Sequence, residues 1–180
     1  QCDGATISSK SGPASWISTF ILVGIAAASA SYVFLKMDHK KGYKPVYPVV
    51  ATVIVAFSIL GLLEVPYGAG PFKTTHASRS AHFKIAAIAF GAMIASSAYV
   101  GHHVKKYGLI INVITGLLAL CIVAAGVSEA IVDKDKDGIA NKWYLKSQGD
   151  RRFVDGIFQL GENMPVVLYF LVVFIASISS

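Results

Sequence analysis

The sequence predicts an all-α membrane protein, a polytopic helix bundle with about five transmembrane helices. Only 14% of its 180 residues are charged and 54% are hydrophobic, whereas about a quarter of an ordinary globular chain is charged. The mean hydropathy of +0.60 agrees with this reading. The composition excludes a disordered chain. The formal charge of +6 does not indicate a nucleic-acid-binding protein, because the basic residues are scattered between apolar runs.

Five stretches lack Asp, Glu, Lys and Arg and approach the roughly 20 residues that a helix needs to cross a hydrocarbon core. They cover residues 11–35, 45–63, 85–104, 107–128 and 163–180. A membrane barrel would show segments of about ten residues with alternating polarity, but these stretches are apolar on every side. In the last one Pro165 falls in the first turn, where a helix tolerates proline.

The chain therefore divides into three predicted parts. Residues 1–132 form a four-helix transmembrane bundle with a polar N-terminal tail, residues 133–161 an outer loop that includes a short amphipathic segment, and residues 162–180 a fifth transmembrane helix. Small residues such as Gly24, Ala26, Ala27 and Ala30 are frequent in the first helix. They allow close helix packing, and a second interpretation is that they leave room for a flat cofactor.

The placement of Lys and Arg predicts the orientation. The segments 36–44 and 105–106 carry six basic residues and one acid, Asp38. Because dense basic charge in short loops favours the inner side, we expect the N-terminus outside or in a lumen and the C-terminus inside. The first residue is Gln1 rather than Met, so we expect that a targeting segment was removed or that the sequence is a fragment.

The outer loop contains the most specific motif of the chain. Aspartates at three alternate positions, followed at once by a glycine, resemble the DxDxDGxxN calcium loops of EF-hands and thrombospondin type 3 repeats. The expected oxygen ligands are Asp133, Asp135, Asp137, the carbonyl of Ile139, and Asn141. The loop departs from an EF-hand at its twelfth position, where Tyr144 replaces the bidentate glutamate. The alternative is a solvated turn whose lysines balance the aspartates.

Histidines lie at or near both ends of the third apolar stretch. His82 and His103 are 21 residues apart, about 31 Å along a helix, and their directions differ by only about 60°. One face of this helix thus has an imidazole near each membrane surface, where a haem or a chlorophyll could take an axial ligand. His102 and His39 are further candidates. The alternatives are histidines that serve as interfacial anchors beside the lysines, or ligands of a metal such as copper.

The region from Arg79 to Gly126 resembles the transmembrane b-type cytochromes, which carry two haems on a four-helix core. Arg79-Ser-Ala-His82 enters the third helix, and the fourth begins with Asn112-Val-Ile-Thr-Gly116. The resemblance implies haem b bound at His82 and His103, with Asn112 at a position where that family tends to have histidine. Chlorophyll needs a single axial ligand, often His, Asn or water, and also suits these residues.

Classical catalytic motifs are absent from the sequence, including a P-loop, a nucleophile elbow and HExxH. We therefore expect no enzyme. The leading expectation is an accessory or structural subunit of a larger energy-transducing or photosynthetic membrane complex, with a calcium-stabilised outer loop and contact with a pigment. Its expected partners are the lipid bilayer and other membrane subunits. The alternative is a b-type haem transmembrane electron carrier.

Overall fold

A computed structural model describes residues 13–64, 76–132 and 164–179. Five helices make up this part of the chain: α1 Pro13–Lys36, α2 Val46–Glu64, α3 His76–His103, α4 Gly108–Val132 and α5 Met164–Ile178. No strand occurs in these ranges, so the all-α prediction is confirmed. α1, α2 and α5 begin and end close to the boundaries that the charged residues predict. α3 instead begins nine residues before the predicted Ile85, so that Arg79 and Lys84 lie within the helix, and α4 continues past Glu129 to Val132.

Prolines mark the beginnings of three helices. Pro13 is the first residue of α1, Pro48 the third residue of α2, and Pro165 the second residue of α5. The first four N–H groups of a helix have no intrahelical acceptor, so a residue without an N–H costs nothing there. Between α1 and α2 the chain turns at Gly42, whose φ of 92° suits glycine.

The helices pack in chain order around one apolar core. α2 contacts both α1 and α3, and α3 also contacts α4. Large fully buried side chains come from α1, α3 and α4, namely Phe34, Met93, Ile111 and Leu118. α5 adds Leu168, Tyr169 and Val172 to the same cluster. The short connections after α1 and α3 force each following helix to run back along its predecessor.

Two of the described helical segments are long and apolar enough to cross a membrane, Ile17–Lys36 and Lys84–His103. Three shorter apolar helices accompany them, at Val46–Leu62, Gly108–Val123 and Met164–Ile178. The number of crossings and their direction therefore stay predictions. Only 11% of the most apolar window of the first segment is buried within the chain, which leaves most of its apolar surface uncovered.

Candidate functional site: a basic cap with histidines and tyrosines

The two dense basic connections lie against each other at one end of the bundle. His39 and Val104 form an isolated antiparallel bridge. The Lys40 amide donates to the His103 carbonyl at 2.7 Å, and the Lys105 amide donates to the Asp38 carbonyl at 3.3 Å. We call residues 36–45 and 102–107 the basic cap. Its two segments are joined by their backbones, so their lysines share one end of the molecule.

Two polar side chains of the cap donate hydrogen bonds to carbonyls at helix C-termini. The Tyr43 hydroxyl donates to the Phe34 carbonyl near the end of α1, at 2.8 Å. At the end of α3, Lys40 Nζ donates to the His102 carbonyl at 3.2 Å. The last carbonyls of a helix lack intrahelical donors and carry partial negative charge, so hydroxyl and ammonium donors stabilise them.

Aromatic rings pack together on the side of the cap that faces the helix bundle. Tyr43 is buried, and its ring centroid lies 4.7 Å from that of His39, 5.7 Å from Tyr99 and 5.9 Å from His103. Tyr99 and His103 are closer, at 4.2 Å, and Tyr47 meets Tyr99 edge-on at 5.3 Å. The Tyr99 hydroxyl also accepts the Lys44 amide at 2.7 Å. The cluster thus ties α2 and α3 to the first connection.

Both hydrogen-bonded histidines donate through Nδ1. His103 Nδ1 contacts the Tyr99 carbonyl at 2.8 Å, and His39 Nδ1 contacts the Lys40 carbonyl at 3.1 Å. A carbonyl only accepts, so Nδ1 holds the proton and the neutral ring keeps its lone pair on Nε2. Such an arrangement orients an imidazole for a metal or haem. Among the described residues, however, no group of three or more His, Cys, Asp or Glu is placed to hold a metal ion.

One ion pair joins the two segments of the cap. Lys105 Nζ lies 2.8 Å from Asp38 Oδ1, and the hydrogen bond from Lys105 lowers the pKa of the Asp38 carboxyl below its usual value. Burial has the opposite effect on an acid, and it raises the pKa of the Tyr43 phenol far above its usual range. At neutral pH the cap therefore combines one carboxylate with several ammonium groups and a neutral tyrosine donor.

The structure brings together four of the predicted pigment ligands. His39, His102 and His103 lie in or beside the cap, with the His102 and His103 centroids 5.0 Å apart. The Asn112 carboxamide lies against Gly101, the residue that directly precedes His102 and His103 in the chain. The side chain of His82 and the whole predicted calcium loop, from Asp133 to Asn141, lie outside the described residues. Haem, chlorophyll and calcium binding stay predictions.

A second polar cluster lies inside the bundle and was not predicted. The Tyr169 hydroxyl on α5 donates to Ser96 Oγ on α3 at 3.0 Å and lies 2.8 Å from Thr52 Oγ1 on α2. The Thr52 hydroxyl also reaches the Pro48 carbonyl at 2.8 Å. A hydroxyl residue within each apolar stretch is the sequence signal that could have predicted this cluster, because such groups in membrane helices turn toward other helices.

Comparisons of the chain with protein-family models, with characterised proteins and with solved structures found no match.

Proposed function

We propose that the chain is an integral membrane protein whose five helices all cross the bilayer, and that it serves as a structural subunit of a larger energy-transducing or photosynthetic membrane complex. The exposed apolar surface carries this proposal. Large apolar side chains are exposed on every helix, among them Ile21, Phe57, Ile88, Leu120 and Phe174. A surface of this kind suits lipid tails or apolar faces of partner helices.

The three shorter apolar helices are shorter than the hydrocarbon core, and two of them pack against a helix that is long enough to cross it. Val46–Leu62, Gly108–Val123 and Met164–Ile178 would extend roughly 22 to 26 Å at about 1.5 Å per residue, against a hydrocarbon core of about 30 Å. α4 continues as a helix to Val132. α2 and α4 both pack against α3, whose segment Lys84–His103 is long and apolar enough to cross on its own, and this packing supports a crossing by its two neighbours.

The basic cap suits the head-group region at one membrane surface. Its lysines and the ends of its histidines and tyrosines are polar, while the aromatic rings continue the apolar core. Amphipathic aromatic residues and Lys are typical of membrane interfaces, and a juxtamembrane basic residue contributes roughly 1 kcal/mol to attraction by anionic lipid. The positive charge of the cap supports placing it on the inner side.

The role as a subunit is supported by α1. This helix buries little of its most apolar segment within the chain. At least half of the surface is exposed at four of its large apolar residues, Ile17, Phe20, Ile21 and Ile25. A partner helix packed there would bury this face. The pigment contact and the calcium-stabilised outer loop belong to the same proposal.

Two measurements on membranes from the source cells test the proposal. The chain should stay in the pellet after alkaline carbonate extraction, because lipid-embedded helices resist it. After mild detergent extraction it should migrate on a native gel in a band much heavier than 19.1 kDa plus its detergent micelle, together with other polypeptides. Release by carbonate would contradict membrane insertion, whereas migration alone would contradict only the subunit role.

The calcium loop has its own test. Millimolar calcium should raise the melting temperature of the purified protein, and the Asp135→Asn variant should lose most of that increase because one carboxylate ligand is replaced by a neutral amide. Asp3→Asn, in the N-terminal tail far from the 133–141 motif in the sequence, is the matched control and should keep it. Equal responses to calcium and magnesium in all three proteins would contradict a calcium site.

A b-type electron carrier is the second candidate, favoured by the free Nε2 of His103 that follows from its Nδ1 contact with the Tyr99 carbonyl. Haem would supply one-electron transfer, and His103 would act as an axial ligand. An absorption spectrum of the purified protein, oxidised and then reduced, tests it. A Soret band that shifts on reduction and is lost in His103→Ala supports haem, and chlorophyll bands support the subunit of a photosynthetic complex.

A further inference from the structure

A cavity of about 300 Å³ lies among α1, α2 and α5. Small side chains of α1 form one wall, at Ala26, Ala27 and Ala30, and Val55 and Ile59 of α2 form another. Apolar cavities of roughly 150 Å³ already hold a benzene molecule, and ligand sites begin at roughly 300 Å³. The volume therefore suits a small ring or a folded hydrocarbon segment.

The lining of the cavity is uncharged and includes two neighbouring hydroxyl residues. None of the described residues that line the cavity is charged, and they include Thr52 and Tyr169, whose hydroxyl oxygens lie 2.8 Å apart. On α1 the lining runs from Thr19 to Ala30, about 16 Å along the helix. An ionised ligand would lose its hydration there with no opposite charge in the wall, which selects a neutral molecule.

The hydroxyl cluster can donate a hydrogen bond to such a molecule. Thr52 has one hydroxyl proton and two acceptors within reach, the Pro48 carbonyl at 2.8 Å and the Tyr169 oxygen at 2.8 Å. Within α2 the Pro48 carbonyl also accepts the backbone amide four residues later. The Thr52 hydroxyl can therefore turn toward a ligand carbonyl without leaving the Pro48 carbonyl unpaired. In that arrangement the Tyr169 hydroxyl donates to Thr52 Oγ1 instead of to Ser96 Oγ.

Two exposed apolar residues lie where the cavity meets the surface. Leu22 of α1 and Phe170 of α5 line the cavity, yet 66% and 47% of their surfaces are exposed. The opening between α1 and α5 is thus bordered by apolar side chains at mid-helix level. On the proposed membrane location, this opening faces lipid, so a ligand would enter sideways from the hydrocarbon layer.

We propose that this cavity binds a neutral lipid with a carbonyl head group and an aliphatic or prenyl tail, the chemistry of a membrane quinone. The carbonyl accepts from the Thr52 and Tyr169 cluster, and the tail lies along α1 toward Thr19. The proposal rests on the membrane location only for the route of entry. The volume of the cavity, its lining residues and the nearby hydroxyls are features of the folded chain and do not depend on that location.

Binding is tested with a decyl-substituted benzoquinone and purified protein in detergent, with decylbenzene as the probe that lacks oxygens. The benzoquinone should bind saturably and raise the melting temperature. Thr52→Val should weaken its Kd about three- to tenfold, as expected for one lost hydrogen bond. Thr115→Val is the control, because Thr115 on α4 likewise donates to the carbonyl four residues earlier but does not line the cavity.

A second pair of variants tests the cavity itself. Ala27→Leu should abolish saturable binding by filling the volume, whereas Ala28→Leu, at an exposed position of the same helix, should leave Kd unchanged. The proposal is overturned if the benzoquinone fails to bind, if decylbenzene binds as tightly, or if Thr52→Val and Thr115→Val have equal effects. These outcomes are independent of carbonate extraction and native gels, so they are distinguishable from failure of the subunit role.

Discussion

At the scale of single residues, Tyr43 connects the most parts of the basic cap. Its hydroxyl donates to the Phe34 carbonyl and its ring contacts His39, Tyr99 and His103. The residue therefore joins the connection after α1 to the last turn of α3 and to the end of α1. Its raised phenol pKa keeps the hydroxyl a donor throughout the physiological pH range.

Tyr43→Phe should therefore lower stability while leaving the ring contacts in place. The Phe34 carbonyl loses its side-chain donor, which costs roughly 1 to 3 kcal/mol for a buried group. Denaturant unfolding in detergent, followed by circular dichroism, measures this loss. Tyr32→Phe is the control, because Tyr32 is 63% exposed on α1 and should change stability little. Equal effects of the two substitutions would contradict the capping role of Tyr43.

The Asp38–Lys105 pair predicts a pH dependence. The folded-state pKa of Asp38 lies below the ordinary value of 3.8, so the pair contributes stability above pH 3.8 and loses it as pH falls through the lowered pKa. Asp38→Asn should thus lower the melting temperature slightly at pH 7, because the pair is solvent-exposed. The difference from wild type should vanish in acid and shrink in about 1 M salt. A difference that persists in acid would assign the effect to something other than this charge.

At the scale of elements, the turn between α3 and α4 depends on glycine. A Cβ on Gly108 would overlap the backbone carbonyl oxygen of Gly101, so the first residue of α4 lies against the backbone of the last turn of α3. Tyr107, the residue before Gly108, already adopts a φ of 63°, a conformation that few side chains tolerate. The four-residue connection is short because these two features let the chain reverse at once.

Gly108→Ala should consequently destabilise the protein by roughly 1 to 3 kcal/mol, since backbone atoms must move to admit the methyl group. Gly116→Ala on the same helix meets nothing within 4 Å and should be neutral or stabilising by up to about 1 kcal/mol. Melting temperatures of both variants in the same detergent provide the comparison. If Gly108→Ala were as stable as Gly116→Ala, the close contact between Gly108 and the Gly101 carbonyl would be incorrect.

The elements and the sites differ in how far sequence patterns predict them. Helix boundaries follow from local charges, so Lys36, Lys44 and Glu64 indicate where α1 and α2 end or begin. The cap depends on contacts such as Lys40 with His102, 62 residues apart, and the Thr52 and Tyr169 hydroxyls meet across 117 residues. Each of these residues is common in helices, and only the packing of α2 against α5 brings the hydroxyls together.

At the scale of the whole molecule, replacing an exposed apolar side chain by a charged one has a different energetic cost in water and in lipid. In a water-soluble bundle, replacing an exposed leucine by arginine changes stability by less than about 0.5 kcal/mol. In a bilayer the same change at mid-helix costs roughly 2.5 to 3.5 kcal/mol on insertion scales, but little near the interface, where the side chain reaches the head groups. A matched pair of positions on one helix therefore distinguishes the two environments.

Leu120 and Leu109 are such a pair on α4. Leu120 is 63% exposed at the middle of the helix, and Leu109 is 78% exposed beside the basic cap. Leu120→Arg should reduce the carbonate-resistant fraction of the protein in isolated membranes several-fold, whereas Leu109→Arg should insert like wild type because its charge joins the lysines of the cap. Both variants would insert equally if α4 lay on the membrane surface. A Leu120→Arg protein that is folded and soluble without detergent would show that the exposed apolar surface meets water, and the five-helix crossing would have to be abandoned.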